Sequence, residues 1–292
     1  MMNALAFLAP VLGPVLKFIY QLVNNYGLAI ILFSILMKLL IFPLNIKQQK
    51  SMEQMRLIQP ELAQLNKKYK NDKEKLQKET MKLYEKYNVN PTAGCLPMLI
   101  QFPIIFALYR VINQPMTYIM GLGTETIIKI VEALKLDIDV ANKNVLMTKE
   151  IEIANQITPE VVNKLGDILP EGIMTIDFNF LGLDLASRPQ LAEFSVLWII
   201  PVLAMVTTYL TSKITTWTQP NTGSADDNAA SMSKSMMTIM PLMTGYFCFL
   251  MPSGVGLYWI INNVLSILQQ VWFNKKLIKE KISSKKKDGE VI

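Results

Sequence analysis

Residues 26–45 read YGLAIILFSILMKLLIFPLN, twenty residues in which Lys38 carries the only formal charge. A transmembrane helix needs about 20 mostly apolar residues, and its backbone amides and carbonyls must all be hydrogen-bonded within the helix. The stretch therefore predicts a membrane-spanning helix over residues 26–44. Lys38 would lie roughly 9 Å from the inner end of that helix, at 1.5 Å per residue.

Four further stretches have the length and composition of membrane spans: residues 96–112, 194–211, 235–251 and 255–273. Prolines inside three of them predict kinks rather than ends, because neighbouring helices re-satisfy the freed carbonyls. Residues 252–254, Pro-Ser-Gly, leave room only for a tight turn between the last two spans. The predicted fold class is thus an all-α membrane protein with a bundle of five transmembrane helices.

The composition is typical of a membrane protein and argues against enzymatic chemistry. Of the 292 residues, 51% are hydrophobic and only 18% are charged, whereas soluble domains carry about 25% charge. The chain has no histidine, and both cysteines, Cys95 and Cys248, lie in apolar runs. This excludes the commonest general base, the commonest metal ligand and a disulfide framework. We therefore expect no enzyme, no catalytic residue, no cofactor and no metal site.

The charges of the connecting segments predict the orientation in the membrane. Residues 45–90 hold 11 basic and 6 acidic residues (net +5), and residues 274–292 hold 7 and 3 (net +4). Residues 113–190 hold 6 basic and 11 acidic residues, a net charge of −5. Because basic segments stay on the cytoplasmic side, the first two segments are predicted inside and the third outside. Five spans then put the N-terminus outside and the C-terminus in the cytoplasm.

The N-terminal segment, residues 1–25, is apolar but interrupted by Pro10, Gly13 and Pro14. No basic region precedes it and no small-residue cleavage site follows it. We expect an amphipathic helix that lies in the outer interface, with an uncleaved signal peptide as the alternative.

The connecting segments predict four further elements. Residues 45–90 show two amphipathic stripes that meet near Asn71–Asp72, which predicts a cytoplasmic helical hairpin. It is either a solvated hairpin beside anionic headgroups or a contact surface for a partner or nascent chain. Residues 113–190 predict a small outer subdomain, and residues 212–234 a flexible cytoplasmic loop. Residues 274–292 predict a disordered basic tail that binds the inner leaflet or ribosomal RNA.

The polar residues within the apolar stretches concentrate in the cytoplasmic halves of four spans. On the first span, Ser34, Lys38 and Asn45 fall within one narrow sector at 100° per residue. The other spans contribute Gln101, Thr208, Ser212, Asn262, Asn263 and Ser266. Single polar residues of this kind are usually hydrogen-bonding contacts between helices, worth about 0.6 kcal/mol each. Their shared depth predicts a wet cavity that is open to the cytoplasm and closed on the outside.

Lys38 is the one fixed cation of this predicted cavity. A lysine at the centre of a membrane helix costs about 2.5–3.5 kcal/mol. Its amine could instead stretch to the inner interface, which is the alternative interpretation. The other polar residues on the same helix face favour a cavity. Because the polar residues lie only in the cytoplasmic halves of the spans, a channel through the whole membrane is not expected.

Several sequence motifs occur in a fixed order over most of the chain. They are Ile41-Phe-Pro-Leu44, Ile58-Gln-Pro-Glu-Leu62, Asn88-Val-Asn-Pro91, Gly94-Cys-Leu-Pro-Met-Leu-Ile-Gln-Phe-Pro103, Phe180-Leu-Gly-Leu-Asp-Leu185 and Gly256-Leu-Tyr-Trp-Ile-Ile-Asn-Asn263. Together they closely resemble the YidC/Oxa/Alb family of membrane-protein insertases. The resemblance implies a five-helix core with a hydrophilic groove that is open to cytoplasm and lipid, plus a cytoplasmic helical hairpin.

The resemblance also implies roles for particular residues. The groove cation of the family is an arginine, and the matching position here is Lys38, which keeps the charge but lacks the bidentate donor fork. The substrate-contacting aromatic region of the fifth helix falls on Tyr258 and Trp259. The chain looks like the Gram-positive type, in the plasma membrane of a bacterium.

The implied function is an insertase and chaperone that inserts and helps fold newly made membrane proteins, alone or with the Sec translocon. The implied partners are nascent membrane proteins, the lipid bilayer and the ribosome, reached through the basic tail and the hairpin; DNA is not expected. Two other hypotheses stay open. One is a small-anion transporter that uses Lys38 as its anion site, and the other is a membrane scaffold that recruits ribosomes through its tail.

Overall fold

The computed structural model describes the backbone of residues 7–89, 96–170, 172–218 and 227–287, which is mostly helical. The first helices in chain order are α1 (Ala9–Val23), α2 (Tyr26–Leu57), α3 (Gln59–Lys68), α4 (Lys73–Lys86) and α5 (Leu96–Asn113). They are followed by α6 (Thr124–Ala133), α7 (Lys143–Asn155), α8 (Pro159–Leu165), α9 (Ile199–Thr218), α10 (Asp227–Leu250) and α11 (Ser253–Lys287). One antiparallel hairpin pairs β1 (Asn179–Phe180) with β2 (Leu183–Asp184).

Two helices in the described part of the chain are long and apolar enough to cross a membrane. They are Tyr26–Leu57 and Val196–Thr215. Shorter apolar helices cover Ala9–Val23, Pro103–Asn113 and Thr238–Leu250. The fold is that of an all-α protein with the helix composition of a membrane protein.

Helices α2, α9 and α11 each continue past the residue at which hydropathy predicts the end of the span. Helix α2 continues from residue 44 to Leu57, because the polar residues that follow are good helix formers. It ends just before Pro60, which lacks an N–H and whose ring clashes with the carbonyl four residues earlier. Hydropathy therefore locates the apolar segment of a helix, and helix propensity and proline set where the helix ends.

The predicted loop and tail are helical wherever the structure describes them. In the 212–234 connection, α9 extends to Thr218 and α10 begins at Asp227, while residues 219–226 lie outside the described residues. The tail that we expected to be disordered continues α11 as far as Lys287. Lysine, isoleucine and glutamate in this segment are compatible with a helix, so its basic composition alone did not indicate disorder.

Contacts divide the chain into two compact units. The first unit comprises residues 1–37, 98–204 and 245–259, and the second comprises residues 38–97, 205–244 and 260–292. Helix α2 therefore contributes its first part to one unit and its second part to the other.

Tyr26 anchors the start of α2 within the first unit. Its fully buried ring meets the Phe178 ring edge-on, with 4.9 Å between the centroids. Its hydroxyl donates a hydrogen bond to the carbonyl oxygen of Ile112 at 3.0 Å. A Cβ on the neighbouring Gly27 would lie 2.3 Å from the Phe180 ring, so only glycine permits this close approach. The predicted outer segment thus packs directly on the beginning of α2.

The start of α11 is fixed by the same segment. The first N–H groups of a helix have no partner inside the helix and need acceptors elsewhere. The backbone N–H of Ser253 donates to the carbonyl of Ser187 at 2.9 Å, and its hydroxyl donates to the same carbonyl at 2.8 Å. The N–H of Gly254 donates to the carbonyl of Leu185 at 2.9 Å. These bonds satisfy the donors at the short turn between α10 and α11.

In the second unit, α3 and α4 form a hairpin with a small core of its own. Ile58, Leu62, Leu83 and Val89 are buried, and Met55, Leu65 and Tyr84 pack against them. Most of these residues belong to the two stripes that the periodicity indicates. The carboxylate of Asp72 accepts the N–H of Lys75 at 3.0 Å and so begins the return helix.

One carboxyl group in the first unit is almost completely buried. Glu150, in α7 and outside the apolar helices, is 2% exposed. Its Oε1 accepts the N–H of Thr117 at 2.6 Å, and its Oε2 accepts the hydroxyl of the same residue at 3.0 Å. Burial raises the pKa of Glu150 to about 7, and the bonds from Thr117 and the nearby charge of Arg110 oppose the shift only in part.

Glu150 therefore makes the stability of the first unit depend on pH. The unfolded carboxyl, with its ordinary pKa of 4.5, ionises before the folded one. Stability should fall as pH rises from about 4.5 to about 7, by on the order of 3 kcal/mol in total. Glu150→Gln keeps an acceptor for Thr117 and carries no charge, so it should remove most of this slope in the thermal unfolding midpoint. Exposed Glu160 supplies the control, since Glu160→Gln should keep the slope; equal slopes in both variants would contradict the assignment.

Candidate functional site: a polar cluster around Lys38

The second unit carries a cluster of polar side chains on α2, α9 and α11. Lys38, half-buried on α2, donates from Nζ to the hydroxyl oxygen of Ser266 at 2.7 Å. Ser266 in turn donates to the carbonyl oxygen of Asn262, one turn earlier on α11, at 2.7 Å. Further along, the Asn45 amide donates to Gln269 at 3.4 Å. The sequence-predicted polar face of α2 is thus turned towards α11 at Lys38 and Asn45.

The contact between α9 and α11 is held by amide-to-hydroxyl bonds. The side-chain amide of Asn263 donates to Thr208 at 2.9 Å and to Thr207 at 3.2 Å, which uses both of its N–H groups. Asn263 and Thr208 are each 8% exposed. Gln270 donates to the Thr215 hydroxyl at 2.8 Å. This side of the cluster is closed and matches the hydrogen-bonding role that single polar residues usually have between membrane helices.

The three helices run parallel to one another where they meet. Each pair of contacts advances in the same direction along both segments: Lys38–Ser266 to Asn45–Gln269, and Thr208–Asn263 to Thr215–Gln270. An aromatic contact between Phe42 and Trp272, 5.6 Å apart at their centroids, also joins α2 to α11.

Lys38 is bonded to a neutral partner. Among the described residues no ion pair includes Lys38, and its hydrogen-bonding partner is the Ser266 hydroxyl. An ammonium group has three N–H donors, of which this bond uses one. The buried Oε1 of Gln270 likewise accepts no hydrogen bond from a described residue. The cluster therefore combines a positive charge with unused hydrogen-bonding capacity.

Three predicted site residues on the same helices have other surroundings. Ser34, one turn before Lys38, belongs to the first unit, is 3% exposed and donates to the Ile30 carbonyl of its own helix at 2.6 Å. Ser212 on α9 and Asn262 on α11 are half-buried in the second unit.

The remaining predicted site residues belong to the first unit or lie outside the described side chains. Tyr258 is 5% exposed and Trp259 is half-buried, both within the first unit. The side chain of Gln101 lies outside the described residues, although its backbone is part of α5. In the part of the chain that the structure describes, no group of three or more histidine, cysteine, aspartate or glutamate residues could hold a metal ion.

Two contacts were missed by sequence reasoning. Thr207 shares the amide of Asn263, and its only sequence signal was its place beside Thr208. The packing of Phe42 against Trp272 could not be read from sequence, because aromatic residues in membrane helices more often face lipid or the interface.

The fold and the cluster define an all-α, membrane-type protein with a half-buried cation inside a polar cluster. The chain belongs to the 60Kd inner membrane protein family, whose profile matches residues 18–281. It is 34% identical over 269 residues to a membrane protein insertase YidC of Syntrophobacter fumaroxidans, covering 92% of this chain and 38% of the relative. A YidC of Geobacter metallireducens is 29% identical over 93% of this chain and 38% of its own length. The chain thus spans well under half the length of these two relatives.

A third relative is similar in length to this chain. It is a membrane protein insertase YidC of Fusobacterium nucleatum, 30% identical over 254 residues. The match covers 87% of this chain and 88% of that protein. The family assignment made from the motifs in the sequence is confirmed by these matches.

The bonds between α9 and α11 should contribute measurably to stability. Asn263→Leu removes both amide bonds to the hydroxyls of Thr207 and Thr208. We expect a loss of about 1–2 kcal/mol, seen as a lower thermal unfolding midpoint in detergent. Asn262→Leu is the matched control, because the neighbouring half-buried side chain makes no such bond to a described residue, and it should have little effect. Equal losses in the two variants would contradict this role of Asn263.

Proposed function

We propose that this chain is a membrane-protein insertase and chaperone, which moves short hydrophilic segments of newly made membrane proteins across the bilayer. The observation that carries the proposal is Lys38, whose amine is bonded to a neutral hydroxyl within a polar cluster. A charge in the membrane is costly, and a lysine that is held by a neutral hydroxyl keeps its charge available for an acidic substrate. The YidC relatives support the same activity, since their names describe insertases.

The first step is electrostatic capture. A carboxylate on the incoming segment replaces part of its hydration with the Lys38 ammonium and the amides and hydroxyls around it. The attraction between two unit charges about 4 Å apart is about 1 kcal/mol in water and about 4 kcal/mol at an effective dielectric constant of 20. Water must reach such a site, and the orphaned acceptor of Gln270 supports this, since a buried acceptor without a partner costs about 1–3 kcal/mol.

The second step is release of the apolar part of the substrate into lipid. Helices α9 and α11 both carry apolar side chains that are exposed in the structure. On α9 and α11 these are Val206, Tyr209, Leu210, Val264, Leu268 and Val271. A substrate helix that slides along such a surface gains about 0.8 kcal/mol for each CH₂ group transferred from water. This step needs no nucleotide and no covalent intermediate.

The proposal includes the membrane placement. The chain is a multi-pass protein of a bacterial plasma membrane, with residues 45–90 and the C-terminus inside and residues 113–190 outside. The net charges of +5 and −5 support this orientation. The parallel course of α2, α9 and α11 also supports it, because the first, third and fifth spans of a five-span protein must point the same way.

The proposed partners follow from the charges on the cytoplasmic side. The hairpin of α3 and α4 and the basic end of α11 would bind the ribosome and present the nascent chain to the cluster. The chain would act alone or together with the Sec translocon. The basic segments attract ribosomal RNA through its phosphates, so this contact should weaken with salt.

The charge of Lys38 is the testable part of the mechanism. Lys38→Glu should lower insertion of substrates with acidic outer segments at least about tenfold, because attraction of a few kcal/mol becomes repulsion. Lys38→Arg should preserve insertion, and Lys38→Ala should fail only for charge-rich substrates. Insertion is measured by protease protection of a tagged outer segment in vesicles that contain the purified chain.

A matched substrate separates charge from folding. The same substrate with its acidic residues changed to amides should be inserted equally well by the unaltered chain and by the Lys38→Glu variant, which also reports that the variant is folded. Normal insertion of the acidic substrate by that variant would remove the mechanism. Flux of small anions through vesicles without any substrate protein would favour the transporter hypothesis instead.

A further inference from the structure

A second polar feature lies in the first unit, far along the chain from Lys38. It is a cleft of about 680 Å³ between α7, the segment 186–192 and the end of α10. Its polar wall includes Lys149, Glu152 and Arg188, and its apolar wall includes Phe249. Its volume lies within the range of about 300–1,000 Å³ that is usual for small-molecule sites.

The cleft carries one more positive than negative charge. Glu152 is shared between two cations, with its oxygens 2.6 Å from Lys149 Nζ and 3.3 Å from an Arg188 nitrogen. Arg188 is further held by the carbonyl oxygens of Thr148 at 3.2 Å and Leu250 at 3.4 Å. Its Nε is buried and donates to no described acceptor. A guanidinium held in place next to a lysine is suited to a phosphate group.

The carboxylate of Asp184 is hydrogen-bonded to two residues of this wall. Asp184 accepts hydrogen bonds from Asn155 at 3.0 Å and from the Ser187 hydroxyl at 2.5 Å. Both donors line the cleft, so the hydrogen bonds to Asp184 hold two of the wall residues in place. The charged residues that line the cleft are Lys149, Arg188 and the shared Glu152.

The other wall and the rim are apolar and aromatic. Phe249 packs edge-on against Trp198, with 4.9 Å between the ring centroids. The indole N–H of Trp198 donates to the carbonyl of Gln190, a cleft residue, at 2.9 Å. Beside them Leu191 is 61% exposed and Phe194 is 87% exposed. A tryptophan next to exposed apolar side chains is typical of a membrane–water interface.

We propose that this cleft binds the headgroup of an anionic phospholipid of the outer leaflet, with the phosphate against Arg188 and Lys149. The part of the acyl chains nearest to the headgroup lies along Leu191 and Phe194. The inference rests on the proposed membrane placement, which puts the start of α9 and the end of α10 at the outer interface. A lipid fits better than a translocated peptide, because the cleft is of small-molecule size and its exposed rim is apolar. A bound headgroup would hold the outer segment at a fixed depth.

The test uses lipid-dependent quenching of Trp198. The full chain, with its three other tryptophans changed to phenylalanine, is placed in phosphatidylcholine vesicles. Phosphatidylglycerol or phosphatidylcholine brominated near the headgroup is then added in increasing proportion. We expect half-maximal quenching at about a fivefold lower fraction of the anionic lipid, equivalent to about 1 kcal/mol.

Matched variants separate the cleft from general surface charge. The preference is the ratio of the two lipid fractions at half-maximal quenching. Arg188→Gln and Lys149→Gln should each bring this ratio close to one, and Arg188→Lys should retain most of the preference. Lys143→Gln removes the same charge from the exposed start of α7, outside the cleft, and should leave the preference unchanged. Both cleft variants are checked for an unaltered thermal unfolding midpoint, and Lys149→Gln carries the test if Arg188→Gln is destabilised.

Four results would overturn the proposal. The first is an equal response to the two lipids in the chain that keeps Trp198 and has no change in the cleft. The second is a preference that survives in both cleft variants. The third is loss of the preference when inorganic phosphate is added, which would assign the cleft to a soluble anion. The fourth is displacement of the anionic lipid from Trp198 by an acidic peptide at equal concentration, which would assign the cleft to translocated protein.

Discussion

A buried charge must be matched by polar groups, because apolar surroundings supply none, and the second unit meets that constraint at Lys38. The ammonium of Lys38 meets a hydroxyl on α11, and α11 is joined to α9 by the amide of Asn263. Both contacts need particular residues at particular heights on parallel helices. The charge thus fixes the register of α2 against α11, and the neutral bonds fix α9 beside them.

The same requirement explains the first unit, where it acts on the backbone. The donors at the start of α11 are satisfied by carbonyls of the outer segment, and the hydroxyl of Tyr26 reaches a carbonyl at the end of α5. These bonds satisfy backbone groups where three chain segments meet.

Much of this could be predicted from sequence, for reasons that differ between features. The face of α2 that bears Lys38 and Asn45 followed from helical geometry alone, because 100° per residue leaves no choice of side. Helix ends were less predictable: α2 stops at Leu57 because of Pro60, well beyond the end of its apolar segment at residue 44. Contacts between distant segments determine three other features. These are the bond from Asn263 to Thr207, the packing of Phe180 against Gly27 and the burial of Glu150. No local pattern reports such contacts.

The central claim is that the polar cluster around Lys38 receives the acidic segment of a nascent membrane protein. The most direct measurement is site-specific photocrosslinking from two adjacent positions on α11, Gln269 and Leu268, to a ribosome-stalled substrate. Gln269 bonds to Asn45 in the cluster, whereas Leu268 is 60% exposed on the apolar face. A probe at Gln269 should crosslink the acidic segment, and a probe at Leu268 should crosslink the apolar helix of the same substrate. Equal crosslinking of the acidic segment from both positions, or none from Gln269, would contradict the account.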